Sequence, residues 1–162
     1  MHATVLPETA MHPAIRQLGP ADAEAIRALH AAMDAEDGYF RFFMPPPKDL
    51  HKVAHAIALR DPEHCAVGAF LGGELVGVAN FIVLPGTRSA EVALVVAAED
   101  QQHGIGTALL RSLAELAREH GIERFVAEVL PANSRMMRLL IDGGFPVTTY
   151  RQNGVVQVGI QL

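Results

Sequence analysis

The chain has 162 residues, of which half are hydrophobic and 19% are charged, and its formal net charge is −5. A chain of this length suits one compact domain with a sizeable core. The acidic balance argues against nucleic-acid binding and against binding at a membrane surface, since both favour a basic excess. No segment approaches the roughly 18 apolar residues that a transmembrane helix needs.

The single cysteine, Cys65, excludes an internal disulfide. The first residues lack the apolar run of a signal peptide, so a cytoplasmic location is expected. Cys65 stands in a strand-like run, where a small buried apolar residue is expected rather than a nucleophile. We expect residues 1–11 to form an N-terminal tail and residues 12–162 to form a single domain.

The first two helices are predicted on either side of a loop. A short strand over residues 12–19 comes first, and Pro20 with acidic residues behind it then marks a helix start. Residues 34–47 break the helical periodicity and end in three prolines, which indicates a loop. Asp49 can cap the second helix, whose apolar stripe continues to Ala58.

Strands dominate the middle of the chain. Gly72 and Gly73 join two strand-like runs, which is a strong hairpin signal. Residues 89–100 are almost wholly apolar, as expected of a central strand covered on both faces. The clearest helical pattern then runs from Gly104 to His120.

The last third of the chain continues the alternation and ends in a hairpin. A strand is predicted over residues 123–131, and Asn133 or Ser134 can cap the helix after it. Asn153 and Gly154 join the last two strands. The order β-α-α-β-β-β-α-β-α-β-β predicts an α/β fold, a mixed sheet with helices on its faces.

The stretch QQHGIGTALL, residues 101–110, places two glycines where the apolar strand gives way to the clearest helix. The loop alone allows three interpretations: a tight turn, a phosphate-binding loop, or part of a dinucleotide-binding fold. A helix N-terminus offers N–H groups to a phosphate, and glycines let the phosphate approach them closely. The dinucleotide fingerprint is disfavoured, because Leu109 stands where its third glycine belongs.

This loop, taken with two later features, resembles the GCN5-related N-acetyltransferase (GNAT) family. The family's pyrophosphate loop reads R/Q-x-x-G-x-G/A, which Gln101, Gly104 and Gly106 match. The family also commonly has an Asn at the head of the next helix, here Asn133, and a Gly-Phe pair near its end, here residues 144–145. The resemblance implies a mixed, mostly antiparallel central sheet of about seven strands flanked by four helices.

A narrower resemblance rests on DGYFRFFMPPPKDL (residues 37–50) and AEVALVV (residues 90–96). Both look like the catalytic domain of bacterial protein-lysine acetyltransferases. There, an aromatic-Arg-Phe segment leads into the second helix and a Glu opens the fourth strand. The matching residues here are Tyr39, Arg41, Phe42 and Glu91. The first three are expected to form a wall of the acceptor site, with an aromatic plug over the core as an equal alternative.

The resemblance further implies that acetyl-CoA is the co-substrate. Its pyrophosphate would lie on backbone N–H groups of residues 102–107, and its pantetheine arm would pair with the fourth predicted strand like an added strand. That pairing requires the fourth and fifth strands to splay apart. The cofactor-binding residues so implied are Leu94, Val95, Val96, Gln101, Gln102, His103, Gly104, Ile105, Gly106, Thr107 and Asn133.

Glu91 is the candidate general base. It is the only carboxylate in residues 89–98, on an otherwise apolar strand. A lysine amine has a pKa near 10.4 and is almost wholly protonated at pH 7, so a base contributes about 10²–10⁴ in rate. Burial would raise the pKa of Glu91 and make it a better base. The alternative is a solvated Glu at the edge of a strand, paired with Arg88.

Other chemical groups carry weaker signals. A backbone N–H near Val96 is expected to stabilise the oxyanion. No Tyr follows Asn133 to act as a general acid, and helix capping is the better explanation of Ser134. His51 and His55 have an i, i+4 spacing that can bind zinc. Without a second pair at ligand spacing, a polar helix face is expected there and no metal site.

The resemblance therefore predicts an acetyl-CoA-dependent N-acetyltransferase that acetylates a protein lysine by direct attack. It is expected to be a monomer or a homodimer, with neither nucleic acid nor membrane as a partner. Two alternatives stay open: acetylation of a small-molecule amine, and a non-catalytic module that binds acyl-CoA.

Overall fold

The computed structural model describes residues 12–33, 49–97 and 104–162. The strands in these ranges are β1 (Ala14–Gln17), β2 (His64–Leu71), β3 (Glu74–Val83), β4 (Ser89–Val96), β5 (Arg124–Val129), β6 (Val147–Gln152) and β7 (Val155–Gln161). The helices in these ranges are α1 (Ala23–Ala31), α2 (Leu50–Ile57), α3 (Ile105–Glu119) and α4 (Ser134–Ile141), with a 3-10 turn (Pro20–Asp22) before α1.

The seven described strands form one sheet in the order β1-β2-β3-β4-β5-β7-β6. Only β4 and β5 run parallel, and every other neighbouring pair is antiparallel. Parallel neighbours need a crossover connection, and α3 lies in the connection between β4 and β5. The mixed, mostly antiparallel α/β fold predicted from the sequence is confirmed.

Apolar cores lie on both faces of this sheet. On the α3 face, α3 buries Leu109, Leu113 and Ala117 in one cluster with Phe81 and Phe125 of the sheet. The recurrence of these helix residues at four-residue intervals places them on one side of α3. This core extends across β5 and β7 to the far half of the sheet.

The opposite face, called here the α1–α2 face, has a smaller core. Ile26 and Leu29 of α1 and Ile57 of α2 pack in one cluster with Val78 of β3 and Val95 of β4. Among the described residues, this cluster takes strand residues from β2, β3 and β4 and none from β5, β6 or β7. The two helices therefore cover only about half of this face with apolar packing.

Local signals of the sequence correspond to observed turns and burial. Gly72 and Gly73 both have positive φ in the β2–β3 hairpin, as do Asn153 and Gly154 in the β6–β7 hairpin. Cys65 is 1% exposed. It is therefore the small buried residue that was expected, and burial raises the pKa of its thiol to about 11.

Candidate functional site

Strands β4 and β5 lie side by side over only three residue pairs. These pairs are Ser89–Arg124, Ala90–Phe125 and Glu91–Val126. Both strands then continue, and each stays paired with its other neighbour, β4 with β3 and β5 with β7. The two strands thus separate after Glu91, which is the splay that was predicted for a ligand inserted like an added strand.

Two hydrogen bonds show which way the backbone of β4 faces. On the β3 side, the N–H of Ala97 donates to the carbonyl of Val76 at 2.8 Å. On the β5 side, the N–H of Glu123 donates to the carbonyl of Arg88, also at 2.8 Å. Because backbone groups alternate sides along a strand, odd-numbered residues of β4 face β3 and even-numbered residues face β5.

This alternation separates the three residues predicted to bind the pantetheine arm. Leu94 and Val96 direct their backbone N–H and C=O groups toward the gap between β4 and β5. Val95 directs its backbone groups toward Val78, its partner in β3. An extended arm in the gap could therefore pair with Leu94 and Val96, whereas Val95 contributes its buried side chain to the α1–α2 core.

Glu91 stands at the apex of the gap, with an exposed side chain. Its neighbours Ala90 and Val92 belong to the core beneath α3. Successive side chains of a strand point to opposite faces, so Glu91 lies on the α1–α2 face. The predicted burial of Glu91 is therefore wrong.

The predicted alternative for Glu91 is right about its exposure to solvent and wrong about its ion pair. Arg88 pairs with Glu123, at 3.0 Å, and Glu91 is the third residue of β4, an interior strand of the sheet. The exposure follows from how far the helices extend over the sheet. The α1–α2 core reaches β4 at Val95, near the C-terminal end of the strand, while Glu91 lies near its N-terminal end.

The two glycines of the predicted pyrophosphate loop have different structural roles. Gly104 is the N-cap of α3 with φ of +79°, and a Cβ there would meet nothing within 4 Å. Its backbone conformation therefore favours glycine. A Cβ on Gly106 would collide with the side chain of Leu139 and lie 3.7 Å from that of Leu94. Gly106 thus allows α3 and α4 to pack closely beside β4.

The first turn of α3 presents its backbone N–H groups at the end of the helix. The first helical hydrogen bond runs from the N–H of Ala108 to the carbonyl of Gly104, at 3.1 Å. The N–H groups of Ile105, Gly106 and Thr107 precede that bond and point out of the helix N-terminus, where the helix dipole favours an anion.

Asn133 begins α4 as its N-cap. Its side-chain oxygen accepts a hydrogen bond from the N–H of Met136 at 3.1 Å, and the residue is 9% exposed. Since the oxygen caps the helix, the amide nitrogen is the part of this side chain that could donate to a ligand. Ser134 is the first residue of α4 and is exposed.

The Gly-Phe pair after α4 joins this helix to the core. Gly144 has φ of +92°, which favours glycine, and Phe145 packs against the α3-face core. The guanidinium of Arg118 lies 5.7 Å from the centre of the Phe145 ring. Arg111 of α3 also donates to the carbonyl of Gly143 at 3.3 Å. These contacts hold the end of α4 against α3.

Six of the predicted site residues lie outside the described ranges. They are Tyr39, Arg41 and Phe42 of the predicted acceptor wall, and Gln101, Gln102 and His103 of the predicted pyrophosphate loop.

A shallow depression of about 730 Å³ lies between α1 and α2, away from the gap. Its lining includes Glu24, Arg27, His51 and His55, and none of the predicted site residues. Within the described ranges, no group of three or more His, Cys, Asp or Glu side chains could hold a metal ion. In the same ranges no helix is long and apolar enough to span a membrane.

Two polar residues near Glu91 were missed from the sequence. Glu128 of β5 and Gln157 of β7 form a cross-strand pair, and the Gln157 amide donates to the Glu128 carboxylate at 2.7 Å. Glu128 is the one acidic residue of β5, among mostly apolar neighbours, and this pattern could have identified it as a candidate functional residue. Its neighbourhood could not be predicted, because β7 joins the sheet from a distant part of the chain.

Comparison with known proteins identifies this arrangement. The sequence model of the acetyltransferase (GNAT) family matches residues 29–145. The crystal structure of the GNAT domain of PAT from S. lividans is similar over 93% of this chain and 90% of that domain, with 31% identity and a TM-score of 0.84.

Two further structures share the fold at lower identity. The ribosomal-protein-alanine N-acetyltransferase from Brucella melitensis aligns with 92% of this chain and 98% of its own, with 24% identity and a TM-score of 0.74. The protein yncA from Salmonella typhimurium, solved with its cofactor acetyl-CoA, aligns with 93% of this chain and 92% of its own, with 23% identity and a TM-score of 0.73.

Proposed function

This chain belongs to the acetyltransferase (GNAT) family, and from that premise we propose that it acetylates the side-chain amine of a protein lysine, with Glu91 as the general base. Family membership makes it an acetyltransferase with acetyl-CoA as co-substrate. The lysine acceptor and the role of Glu91 are the proposed part. The observation that carries them is the position of Glu91 at the apex of the gap between β4 and β5.

The proposed cofactor site runs along β4. The pyrophosphate of acetyl-CoA binds at the loop of residues 101–107, and its arm extends through the gap toward Glu91. Leu94 and Val96 supply backbone hydrogen bonds to the arm, and Asn133 adds a side-chain donor from α4. Gly106 keeps this passage close to α4 because it has no side chain.

The proposed reaction is a direct transfer. The neutral amine attacks the thioester carbonyl, so that a C–N bond forms while the carbonyl oxygen takes up negative charge. The C–S bond then breaks and coenzyme A leaves as a thiolate. Glu91 accepts the first proton, which the ammonium form must lose before attack, either directly or through one water molecule. The second proton, which the nitrogen loses after attack, passes to the coenzyme A thiolate.

Strand geometry favours one of two backbone N–H groups as the proposed donor to the oxyanion. A strand rises about 3.3 Å per residue, so Val96 lies about 16 Å along β4 from Glu91 and Leu94 about 10 Å. Both direct their N–H groups toward the gap. The amine must reach both the thioester carbonyl and the carboxylate of Glu91, so that carbonyl has to lie close to Glu91. The N–H of Leu94 is therefore the better candidate to donate to its oxygen.

Two observations support a protein lysine as the acceptor. The S. lividans structure, at 31% identity, is the GNAT domain of a bacterial protein acetyltransferase. The carboxylate of Glu91 is also exposed, on a half of the sheet face that α1 and α2 leave without apolar packing. A lysine on the surface of another protein can reach such an open position, whereas an enclosed pocket would favour a small molecule.

We further propose that residues 12–162 act as one domain in the cytoplasm.

The test treats a bacterial lysate with the protein and isotopically labelled acetyl-CoA, followed by mass spectrometry of peptides and of small amines. The proposal predicts labelled lysines with wild type and far fewer with Glu91→Gln. Label found only in small amines would overturn the lysine acceptor. Acetyl-CoA binding without labelled product in either fraction would favour a non-catalytic acyl-CoA-binding module.

A further inference from the structure

The half of the α1–α2 face beyond β4 carries polar side chains in a defined order. Glu91 is paired with Val126 of β5, and Glu128 lies two residues further along β5 on the same face. The face is known because Phe125, Ala127 and Val129, which alternate with them, belong to the core beneath α3. Glu128 is therefore a diagonal neighbour of Glu91, across the apex of the gap.

Glu128 is exposed, and its carboxylate accepts a hydrogen bond from the neighbouring strand. The amide of Gln157, its partner in β7, donates to its carboxylate at 2.7 Å. Tyr150 of β6 is paired with Gln157 in turn and is 60% exposed. The row from Glu91 to Tyr150 is thus an accessible strip of sheet surface, and Glu128 is the next acid along it from the proposed base.

Within the part of the chain that the structure describes, the cation on this face of β5 lies on the other side of Val126. Arg124 has its guanidinium packed over Gly159, where a Cβ would collide with it. Its position, four residues before Glu128, puts the two about 13 Å apart along β5. The side chain of Arg124 can lie against the sheet because Gly159 has no side chain. The positive charge of Arg124 therefore stays away from the carboxylate of Glu128.

We propose that Glu128 is a specificity-determining residue for the acceptor, and that Gln157 positions it. This inference rests on the proposed function. An alkyl amine approaches as an ammonium ion, since its pKa lies well above neutral. The carboxylate of Glu128 attracts that cation to the strip beside the gap, and Glu91 then takes the proton that must leave before attack.

The two carboxylates should have separable effects on the kinetics. Removing the charge of Glu128 weakens an attraction made before the chemical step, so KM for the amine rises and kcat changes little. Because an interaction between exposed charges is weak, we expect this rise in KM to be about two- to fivefold. Salt should weaken the attraction, because the Debye length at 0.1 M ionic strength is about 10 Å.

The test compares wild type, Glu128→Gln, Gln157→Ala and Glu115→Gln, with a lysine peptide that wild type acetylates. Glu115→Gln is the matched control, because it removes one exposed negative charge from α3 on the opposite side of the sheet. We expect KM for the peptide to rise about two- to fivefold in Glu128→Gln and part of the way in Gln157→Ala, with kcat and the Kd for acetyl-CoA unchanged. Added salt should raise KM in wild type more than in Glu128→Gln.

Each other outcome has a distinct meaning. An unchanged KM in Glu128→Gln, or an equal rise in Glu115→Gln, overturns the role of Glu128 and leaves the proposed function standing. A fall in kcat with an unchanged salt response overturns it too, because it would indicate a structural effect. If wild type acetylates no lysine peptide, the proposed function fails and the role of Glu128 fails with it.

Discussion

Glu91 and Val126 form the last residue pair at which β4 and β5 lie side by side. Beyond this pair, the gap receives the backbone groups of Leu94 and Val96 from one side. The exposed carboxylate of Glu91 lies on the opposite face of the sheet from α3. Cofactor and acceptor can therefore approach the same point from different directions, which a direct transfer requires.

The backbone of Gly104 provides a test of the cofactor loop. Gly104→Ala forces an L-residue to φ of +79°, which is expected to lower the free energy of unfolding by about 1–2 kcal/mol and to weaken acetyl-CoA binding. Gly86→Ala is the matched control, because Gly86 has φ of +74° and equally open surroundings in the turn between β3 and β4. Urea unfolding and calorimetric titration with acetyl-CoA measure the two effects. Unchanged affinity in Gly104→Ala would leave this glycine with a turn role only.

The contact between Gly106 and Leu139 predicts coupling between two substitutions. Gly106→Ala places a methyl group where the Leu139 side chain lies, whereas in Leu139→Ala that space is open. The effect of Gly106→Ala on the free energy of unfolding should therefore be more favourable by about 1 kcal/mol in the Leu139→Ala background. Chemical denaturation of the four proteins in the cycle measures this difference. Additive effects would show that α3 and α4 do not need glycine here.

Asn133 combines helix capping with the proposed contact to the pantetheine arm. Asn133→Ala should lose about 1 kcal/mol of stability with the cap, and it should also weaken acetyl-CoA binding. Asp49→Ala removes the corresponding cap of α2, where the side chain accepts from the N–H of Lys52, and should lose a similar stability with no change in affinity. Thermal unfolding and acetyl-CoA titration separate the two. Equal affinities in both variants would limit Asn133 to capping.

The buried thiol of Cys65 should make the free energy of unfolding depend on pH. Burial raises the pKa of its thiol to about 11, while an unfolded thiol has a pKa near 8.5. Between these values the unfolded chain loses a proton that the folded chain keeps, so this group's contribution to stability is present below the lower value and is lost as pH rises. At pH 8 the folded thiol should react with a disulfide reagent more than about a hundredfold slower than the same thiol in urea. Fast labelling of the native protein would contradict the burial of Cys65.

The features that were predicted correctly from the sequence depend on local signals. The hairpin at Gly72 and Gly73, the cap at Asn133 and the turn at Gly104 each depend on a few neighbouring residues, and each is observed. The direction of the Val95 backbone, in contrast, was not predicted, because the side that an odd-numbered residue of β4 faces is known only from a hydrogen bond of the folded chain.

Other features depend on how distant parts of the chain meet. The exposure of Glu91 depends on how far α1 and α2 extend over the sheet, and no sequence pattern encodes that distance. The packing of Leu139 against Gly106 depends on the approach of two helices. The contact between Glu128 and Gln157 depends on β7 inserting between β5 and β6.

The central claim, that Glu91 is the base of an acetyl transfer at the apex of the β4–β5 gap, is tested most directly by Glu91→Gln. In steady-state acetylation of a lysine peptide, kcat should fall by about 10²–10⁴ while the Kd for acetyl-CoA is unchanged, because only the proton acceptor is lost. Glu74→Gln removes the same charge at the exposed start of β3 and should keep full activity. A Glu91→Gln enzyme with the kcat of wild type at neutral pH would contradict the account.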